Sequence, residues 1–307
     1  MKGGDDAMTY DENSRSGSGT TTVTTRSRPG LPKPRRIRFG FGEAIPMPKY
    51  YTYGDIVQSH VWAQLSGGFP AGEESFIRSV RRFAGKIDDP VLEKRVAGFI
   101  GQEAMHGEEH RRLNRKLVEL GYRITWLDSD RARRRRERFE EFLSPHVHLA
   151  MTAAAEHGTA MLAERILSSP EIQGIPMDPE VRKLLNWHAF EELEHKSVAF
   201  DVYRATGGSE LLRIVTFGVA LSLTISMFSI VTPLMLAGDP QARRQPARVI
   251  AQAYLLFSGP LFRHMLRESI KYMRPGFHPD DIDTSELLEQ WREELFGAGG
   301  ALEERLR

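Results

Sequence analysis

Residues 99–114, FIGQEAMHGEEHRRLN, place acidic and imidazole side chains on the same helical stripe as large apolar ones. The stretch has no proline, and residues three or four apart share one face of a helix. Glu103 and His106 therefore lie beside Phe99 and Leu113. Because a solvated face would exclude the apolar residues and a core face would exclude the charges, the stretch indicates a polar site inside a helical core.

A second stretch, residues 187–200 or WHAFEELEHKSVAF, repeats this spacing. Its Glu192 and His195 are three residues apart, as Glu103 and His106 are. Each helix can present one carboxylate and one imidazole to a common point, so two facing helices supply two of each. A single pair arises by chance on surface helices, but two pairs on apolar stripes indicate a binding site.

A dinuclear metal site in a four-helix bundle also needs one carboxylate from each of the other two helices. Glu73 lies on the stripe of Phe76 and Val80, whereas Glu74 points toward water. Glu156 lies in the nearly uncharged run LAMTAAAEHGTAM, where an isolated carboxylate is costly unless a cation compensates it. The alternative is a purely structural polar network. The sequence predicts two metal ions with six ligands: Glu73, Glu103, His106, Glu156, Glu192 and His195.

Four residues of this constellation are predicted to be catalytic. Glu103 and Glu156 are expected to bridge the two metal ions, and His110 and His188 share the ligand faces through i,i+4 spacing. His157 directly follows Glu156 and is interpreted as a hydrogen-bond partner or a core histidine.

The order Glu, Glu-x-x-His, Glu, Glu-x-x-His, with a long arginine-rich crossover in the middle, is the connectivity of ferritin-like bundles. The sequence therefore predicts an all-α ferritin-like four-helix bundle with extra C-terminal helices, one of them strongly apolar. An earlier helical piece is expected to end at Gly67, Gly68 and Pro70. The four bundle helices are predicted near residues 71–85, 90–120, 146–168 and 180–205.

Composition bounds the class of protein. The chain has 307 residues, and 40% of them are hydrophobic. Its net charge is only +1, so its overall charge does not favour binding to nucleic acid. It has no cysteine, which excludes disulfides, thiolate ligands and a cysteine nucleophile. Any metal site must therefore use nitrogen and oxygen ligands. No cleaved secretory signal is visible, and a cytoplasmic location is expected.

Three regions are predicted along the chain. Residues 1–35 are interpreted as a disordered tail, 36–297 as the helical metal-binding domain, and 298–307 as a C-terminal tail. The basic segment KPRRIRFGFGEAIP, at the start of the domain, is interpreted as solvated rather than as a contact for nucleic acid or phospholipid.

Residues 214–238 carry no charged residue over 25 positions, within an apolar helix predicted at about 211–237. That length can span a bilayer, although six Ser or Thr residues and Pro233 weaken this interpretation. A buried helix of a large helical domain is the alternative. Arginines before and after the segment would favour an anionic lipid surface. The sequence leaves both possibilities open.

The chain resembles a bacterial family of predicted metal-dependent hydrolases within the ferritin-like superfamily. The resemblance rests on FPAGEESFIRSVRRF, GFIGQEAMHGEEHRRLN, TAAAEH, WHAFEELEHKSVAFDVY and RPGFHPDDIDT. It implies that Glu73 is the first-helix carboxylate, and it marks His60, His110 and His188 as recurrent family positions. The segment QLSGGFP departs from the family pattern by its two glycines, which leaves the helix kink and the pocket wall there open.

Two enzymatic functions and one other function follow from these observations. The leading hypothesis is a di-iron carboxylate oxidase or oxygenase that activates dioxygen on a small apolar or lipid-like substrate and uses an electron donor. The alternative is a metal-dependent hydrolase that uses a metal-bound hydroxide, as the family label implies. The third is a non-catalytic metal-binding protein associated with a membrane. Iron is the expected metal, with manganese and zinc as alternatives, and a homodimer stays open.

Overall fold

The structure, a computed structural model, describes residues 30–306, and within that range it contains helices and no strand. The predicted all-α class is thereby confirmed. The helices are Ile56–Arg81 (α1), Pro90–Glu119 (α2), Asp130–Phe142 (α3), Pro145–Ser168 (α4), Pro170–Gln173 (α5), Pro179–His195 (α6), Val198–Ala205 (α7), Glu210–Gly238 (α8), Pro240–Arg244 (α9), Pro246–Ser258 (α10), Met265–Ser269 (α11) and Ser285–Phe296 (α12). Short 3-10 turns lie at Ile270–Met273, Pro279–Asp281 and Glu303–Arg305.

Side-chain caps define where the bundle helices begin. The carboxylates of Asp89 and Asp178 accept hydrogen bonds from backbone N–H groups in the first turns of α2 and α6, and Ser144 does the same for α4. A proline occupies the first helical position after each of these caps, where its missing N–H costs nothing. These three starts agree with the predicted helices.

The predicted break at Gly67, Gly68 and Pro70 is wrong, because α1 continues through all three residues. Pro70 has no N–H to donate to the carbonyl of Ser66, one turn earlier. The side-chain amide of Asn114 donates to that carbonyl instead, over 2.9 Å. A neighbouring helix thus satisfies the acceptor that the proline leaves free, and the helix is not interrupted.

The predicted single helix at 180–205 is also wrong, because it is divided directly after His195 into α6 and α7. The two residues between the helices are held by side chains elsewhere in the fold. Lys196 donates to the carbonyl of Ile282 over 2.6 Å, and Arg95 donates to the hydroxyl of Ser197 over 2.8 Å. The division therefore coincides with the point where the C-terminal loop attaches to the helix.

Four helices surround the polar site. α1 packs on α2, α2 on α6, α6 on α4, and α4 back on α1, so the four close a ring. Two separate apolar clusters fill the interior, one around Trp187 and Leu184 and the other around Phe99 and Tyr203. The charged helix α3 forms the crossover between α2 and α4. This arrangement provides the four faces that the predicted ligands require.

Both chain ends of the described region pack on the domain more than the sequence indicates. The segment interpreted as solvated buries Arg35, Ile37 and Phe39, which alternate with exposed residues. The part of the predicted N-terminal tail before residue 30 lies outside the described residues. In the predicted C-terminal tail, Leu302 is buried in the core and Arg305 pairs with a carboxylate on α6. Apolar and paired side chains therefore fix both segments.

Among the described residues, one helix, α8, is long and apolar enough to cross a membrane by length and composition. It is not a core helix, because only 11% of its most apolar window is buried. Phe217, in its first half, packs on His157 of α4, and α1 also contacts the helix.

Candidate metal centre

The six predicted ligands come together in the interior, between the two apolar clusters. All six side chains are buried, with exposed fractions between 0% and 4%. Their ligand atoms form three overlapping groups, each with all atoms within 4.8 Å of one another. The groups are Glu73–His106–His188, Glu103–His106–Glu192 and Glu103–Glu156–His195.

Most of the atoms that face the centre have no hydrogen-bond partner. Both carboxylate oxygens of Glu73, Glu103 and Glu156 are buried and unpartnered, and so are Nδ1 of His106 and Nε2 of His195. Nε2 of His195 lies 3.0 Å from Oε1 of Glu103, but without hydrogen-bond geometry. Buried polar atoms without partners are rare and costly. Their convergence on one point is what a site for metal cations requires, so these residues fit bound metal.

Electrostatics supports the same conclusion. Burial, together with repulsion from the neighbouring carboxylates, raises the pKa of Glu73 and of Glu103 well above the ordinary range. For Glu156, burial and the nearby Glu192 raise the pKa to about 7. A cluster of carboxylates this deep in the protein needs compensating positive charge to stay ionised. Metal cations would supply that charge.

The proton on His195 is fixed by a glutamine. Nδ1 of His195 lies 3.0 Å from Oε1 of Gln102, while Nε2 of the same amide donates to Glu194 over 2.8 Å. An amide oxygen only accepts, so Nδ1 of His195 must carry the proton. In the neutral imidazole, the lone pair therefore lies on Nε2, which faces the centre.

The second imidazole, His106, is oriented by an ion pair. Its Nε2 lies 3.0 Å from Oε2 of Glu191, and Arg35 donates to the other oxygen of that carboxylate over 2.8 Å. Burial raises the pKa of Glu191 to about 8 although Arg35 opposes this. With Glu191 ionised, Nε2 of His106 donates to it and the unpartnered Nδ1 faces the centre.

A third imidazole, His188, is oriented through a chain of hydrogen bonds. The hydroxyl of Ser66 donates to the side-chain oxygen of Asn114 over 2.7 Å and therefore accepts from Nδ1 of His110, 2.9 Å away. Nε2 of His110 then accepts from Nδ1 of His188 over 2.8 Å. Nε2 of His188 is left to face the carboxylates, 2.8 Å from Oε1 of Glu192. His188, predicted to be catalytic, thus has the orientation of a ligand.

A family model described as predicted metal-dependent hydrolase matches residues 33–283. The chain belongs to this family. The matched part of the chain includes all six predicted ligands and the two further imidazoles, His110 and His188. Membership supports an enzymatic function that depends on metal ions. No curated protein and no solved structure matches the chain.

The predicted catalytic residues lie at different places in this hydrolase-family site. Glu103 belongs to two of the three ligand groups, as a bridging carboxylate would, whereas Glu156 belongs to one. Glu192 approaches all three oriented imidazoles, with distances of 2.8 Å to His188, 3.6 Å to His195 and 3.9 Å to His106. The bridging role of Glu156 stays a prediction, and Glu192 is a further candidate for it. His110 lies one hydrogen bond behind His188.

Other residues singled out in the sequence lie away from the centre. The ring of His157 packs against Tyr272 and Phe277. His60 is buried and its Nδ1 contacts the carbonyl of its own helix. Glu74 points outward as predicted and pairs with Arg111 over 2.5 Å. None of these three residues is part of a ligand group.

Several residues that support the ligands were missed in the sequence: Arg35, Gln102, Thr159, Glu191 and Glu194. Thr159 donates to Oε2 of Glu192 over 2.5 Å. Glu191 and Glu194 are adjacent to ligands of the same helix, which is a usable signal because ligand histidines commonly donate to carboxylates. No local pattern identifies Arg35, because its partners are far away in the sequence.

Gly107 permits the close approach of α1 and α2. A Cβ atom at this position would lie 3.2 Å from Oε2 of Glu73 and 3.7 Å from the Cα of Pro70. A larger side chain would therefore require the Glu73 carboxylate to shift by a few tenths of an ångström. Gly107 therefore reflects the close packing of α1 against α2 at the site, and it does not mark a loop.

Proposed function

We propose that this protein is a hydrolase that acts with two metal ions, held between α1, α2, α4 and α6. The observation that carries the proposal is the set of unpartnered buried ligand atoms that converge from all four helices. Glu73, His106 and His188 would hold one ion, and Glu103, Glu156 and His195 the other, with Glu192 between them. Two helices, α1 and α4, each contribute one carboxylate, and α2 and α6 each contribute a Glu-x-x-His pair. This distribution of ligands supports the ferritin-like assignment.

Metal ions at such a site would polarise a carbonyl or phosphoryl group of the substrate and make water a stronger nucleophile at neutral pH. The residues of the chain prepare the site for this role. Gln102 would hold the imidazole of His195 in the required tautomer. Glu191, itself held by Arg35, would do the same for His106. The apolar clusters on either side keep bulk water away from the carboxylates.

Hydrolysis also requires that a proton leave the centre. The chain Glu192, His188, His110, Ser66 and Asn114 connects the buried carboxylate to a half-buried amide through contacts of 2.7–2.9 Å. Imidazoles and hydroxyls both donate and accept, so a proton that leaves Nδ1 of His188 can be passed through His110 and Ser66 along these contacts. His110 would thus act in proton transfer without holding metal.

The donor set favours iron or manganese. Four carboxylates and three imidazoles are hard and intermediate ligands, which suit these ions, and zinc accepts the same atoms. We propose iron, with manganese and zinc as alternatives. The substrate we propose is small and apolar or lipid-like. The half-buried ring of Phe69, which packs against His110 and His188, would be an apolar contact at the edge of the centre.

A second candidate function is the activation of dioxygen. The observation that favours it is the carboxylate-rich set, since iron with few imidazoles per ion and open positions activates dioxygen. An oxidase or oxygenase of this kind would need an electron donor. A hydrolase would need neither dioxygen nor reductant, and this difference separates the two candidates.

The test uses the full chain loaded separately with iron, manganese or zinc. Nitrophenyl esters of increasing chain length and nitrophenyl phosphate would be assayed without oxygen or reductant. Turnover that disappears in the His195→Ala variant supports the hydrolase. No anaerobic turnover, with oxygen consumption by the reduced iron form, would favour the second candidate instead. The His110→Ala variant also loses the hydrogen bond that orients His188, so it is assayed at saturating metal, where it should lose most of the hydrolysis rate, about 10²-fold or more for a proton-transfer group.

A further inference from the structure

Two apolar helices in the C-terminal part of the chain expose many of their large apolar side chains. On α8 the exposed residues are Leu211, Val215, Val219, Leu223, Ile225, Met227, Ile230 and Leu234; on α10 they are Ile250, Tyr254, Leu255 and Phe257. The short helix α9 contacts both, and both pack on α1. We call these residues the apolar face. Soluble monomers rarely expose so many large apolar side chains together, so the apolar face is expected to meet another apolar phase.

The packing of α8 decides how it could meet a membrane. In its first half, Phe217 is buried and its ring contacts His157 of α4. In its second half, Thr232 is buried and donates to Gln64 of α1 over 2.7 Å. A helix that crossed a bilayer would need about 30 Å of hydrocarbon between its two ends. Because the polar bundle packs on both halves of α8, that bundle would have to enter the hydrocarbon too.

Basic side chains accompany the apolar face. Between residues 211 and 274 the chain has eight Arg or Lys residues and two acidic residues. Both acidic residues are paired, Asp239 with Lys49 and Glu268 with Arg165. The exposed basic residues are Arg243, Arg244, Arg248, Arg263, Arg267, Lys271 and Arg274, of which Arg274 pairs with Asp281. An apolar surface beside unbalanced positive charge matches the interface of a bilayer that contains anionic lipid.

We propose that α8 and α10 dock this protein on the surface of an anionic lipid bilayer, with α8 lying along the membrane plane and not across it. The apolar face enters the boundary between headgroups and acyl chains, and the basic residues contact the lipid phosphates. The bundle with the metal centre stays on the aqueous side. This docking does not depend on the chemistry of the centre.

The experiment is flotation of the full metal-loaded chain with preformed vesicles. We expect it to float with phosphatidylglycerol–phosphatidylcholine vesicles, to bind pure phosphatidylcholine much less, and to be released by alkaline carbonate. Binding that resists carbonate would indicate a spanning helix and overturn the proposal. Failure to float, with a dimer in analytical ultracentrifugation, would assign the apolar face to a second copy of the chain.

Paired variants show which surface binds. The variant Leu223→Ser, Ile230→Ser, Leu234→Ser should stop floating, whereas Leu31→Ser, Val91→Ser, Phe142→Ser, at exposed positions outside the apolar face, should float normally. Arg244→Gln, Arg263→Gln, Arg267→Gln should weaken partitioning roughly 100-fold, from about 1 kcal/mol for each basic residue. Arg131→Gln, Arg134→Gln, Arg135→Gln on α3 removes the same charge elsewhere and should have no effect. Equal loss in both charge variants would overturn the proposed site.

Discussion

Arg35 donates a hydrogen bond of 2.8 Å to Glu191, from a position 156 residues earlier in the chain. It also donates to Glu194 over 2.6 Å and 3.0 Å. These carboxylates are the outer partners of His106 and, through Gln102, of His195. One buried guanidinium therefore orients both Glu-x-x-His helices from outside the centre.

We expect Arg35→Met to lower metal affinity by about 10–100-fold, the usual effect of losing an outer partner of a metal ligand. Without Arg35, Glu191 and Glu194 would lose the buried hydrogen-bond donor that holds them in place, and Glu191 would orient His106 less well. Competition with a chromophoric chelator measures the affinity. Arg36→Met, at an exposed neighbouring position, is the matched control. Equal metal affinities of the two variants would show that Arg35 does not help to position the metal ligands.

The adjacent glutamates on α1 provide the sharpest comparison for the ligand set. Glu73→Ala should reduce the bound metal, because its unpartnered oxygens face the centre, and Glu74→Ala should leave it unchanged. His106→Ala and His195→Ala should reduce it further. Elemental analysis after exhaustive dialysis gives the metal content of each variant. If all four variants bind the same amount, the cluster is an ordinary polar network.

Metal removal should destabilise the protein as well as inactivate it. Without cations, the buried carboxylates repel one another or take up protons, and the unpartnered atoms remain unsatisfied. We expect the melting temperature to fall by roughly 5–10 °C on chelation, and to recover when metal returns. Calorimetry of the apo and loaded forms checks this. An unchanged melting temperature would mean that metal does not bind at the buried centre.

Gly107→Ala should weaken metal binding although alanine is the better helix former. The added Cβ would meet the Glu73 carboxylate at 3.2 Å and the Cα of Pro70 on α1 at 3.7 Å. Gly158→Ala is the control, since a Cβ there meets nothing within 4 Å, and it should stabilise the protein by about 0.5–1 kcal/mol. Chelator competition and urea unfolding separate the two effects. Normal metal affinity in Gly107→Ala would show that α1 and α2 can move apart without weakening the metal site.

The C-terminal segment should contribute stability that depends on pH. Although burial opposes it, the hydrogen bond from Arg305 holds the pKa of Glu180 at about 2. A lowered carboxylate pKa stabilises the fold above the unfolded pKa, and this contribution is lost as pH falls from about 4.5 to 2. The group is partly solvated, so we expect only about 1 kcal/mol between wild type and Glu180→Gln at pH 7. Urea unfolding at pH 7 and pH 3 measures it, and a difference that grows toward pH 3 would contradict the assignment.

The spacing of residues along single helices was enough to predict much of the fold and of the centre. The i,i+3 pairs and the glutamates on apolar stripes identify six residues that meet in the structure, because the geometry of one helix fixes which side chains share a face. Helix starts at Asp89, Ser144 and Asp178 were predictable for the same local reason.

Contacts between distant segments decided the rest. α1 continues through Pro70 because Asn114, on another helix, donates to the free carbonyl. The roles of Arg35 and Gln102 depend on partners 92 to 159 residues away, so no local pattern could show them. The sequence shows that α8 is apolar. Only the structure shows that the bundle packs against one side of this helix and leaves its other side exposed. Sequence determines what each helix face can offer, and only the tertiary structure determines which faces meet, since those contacts join residues far apart along the chain.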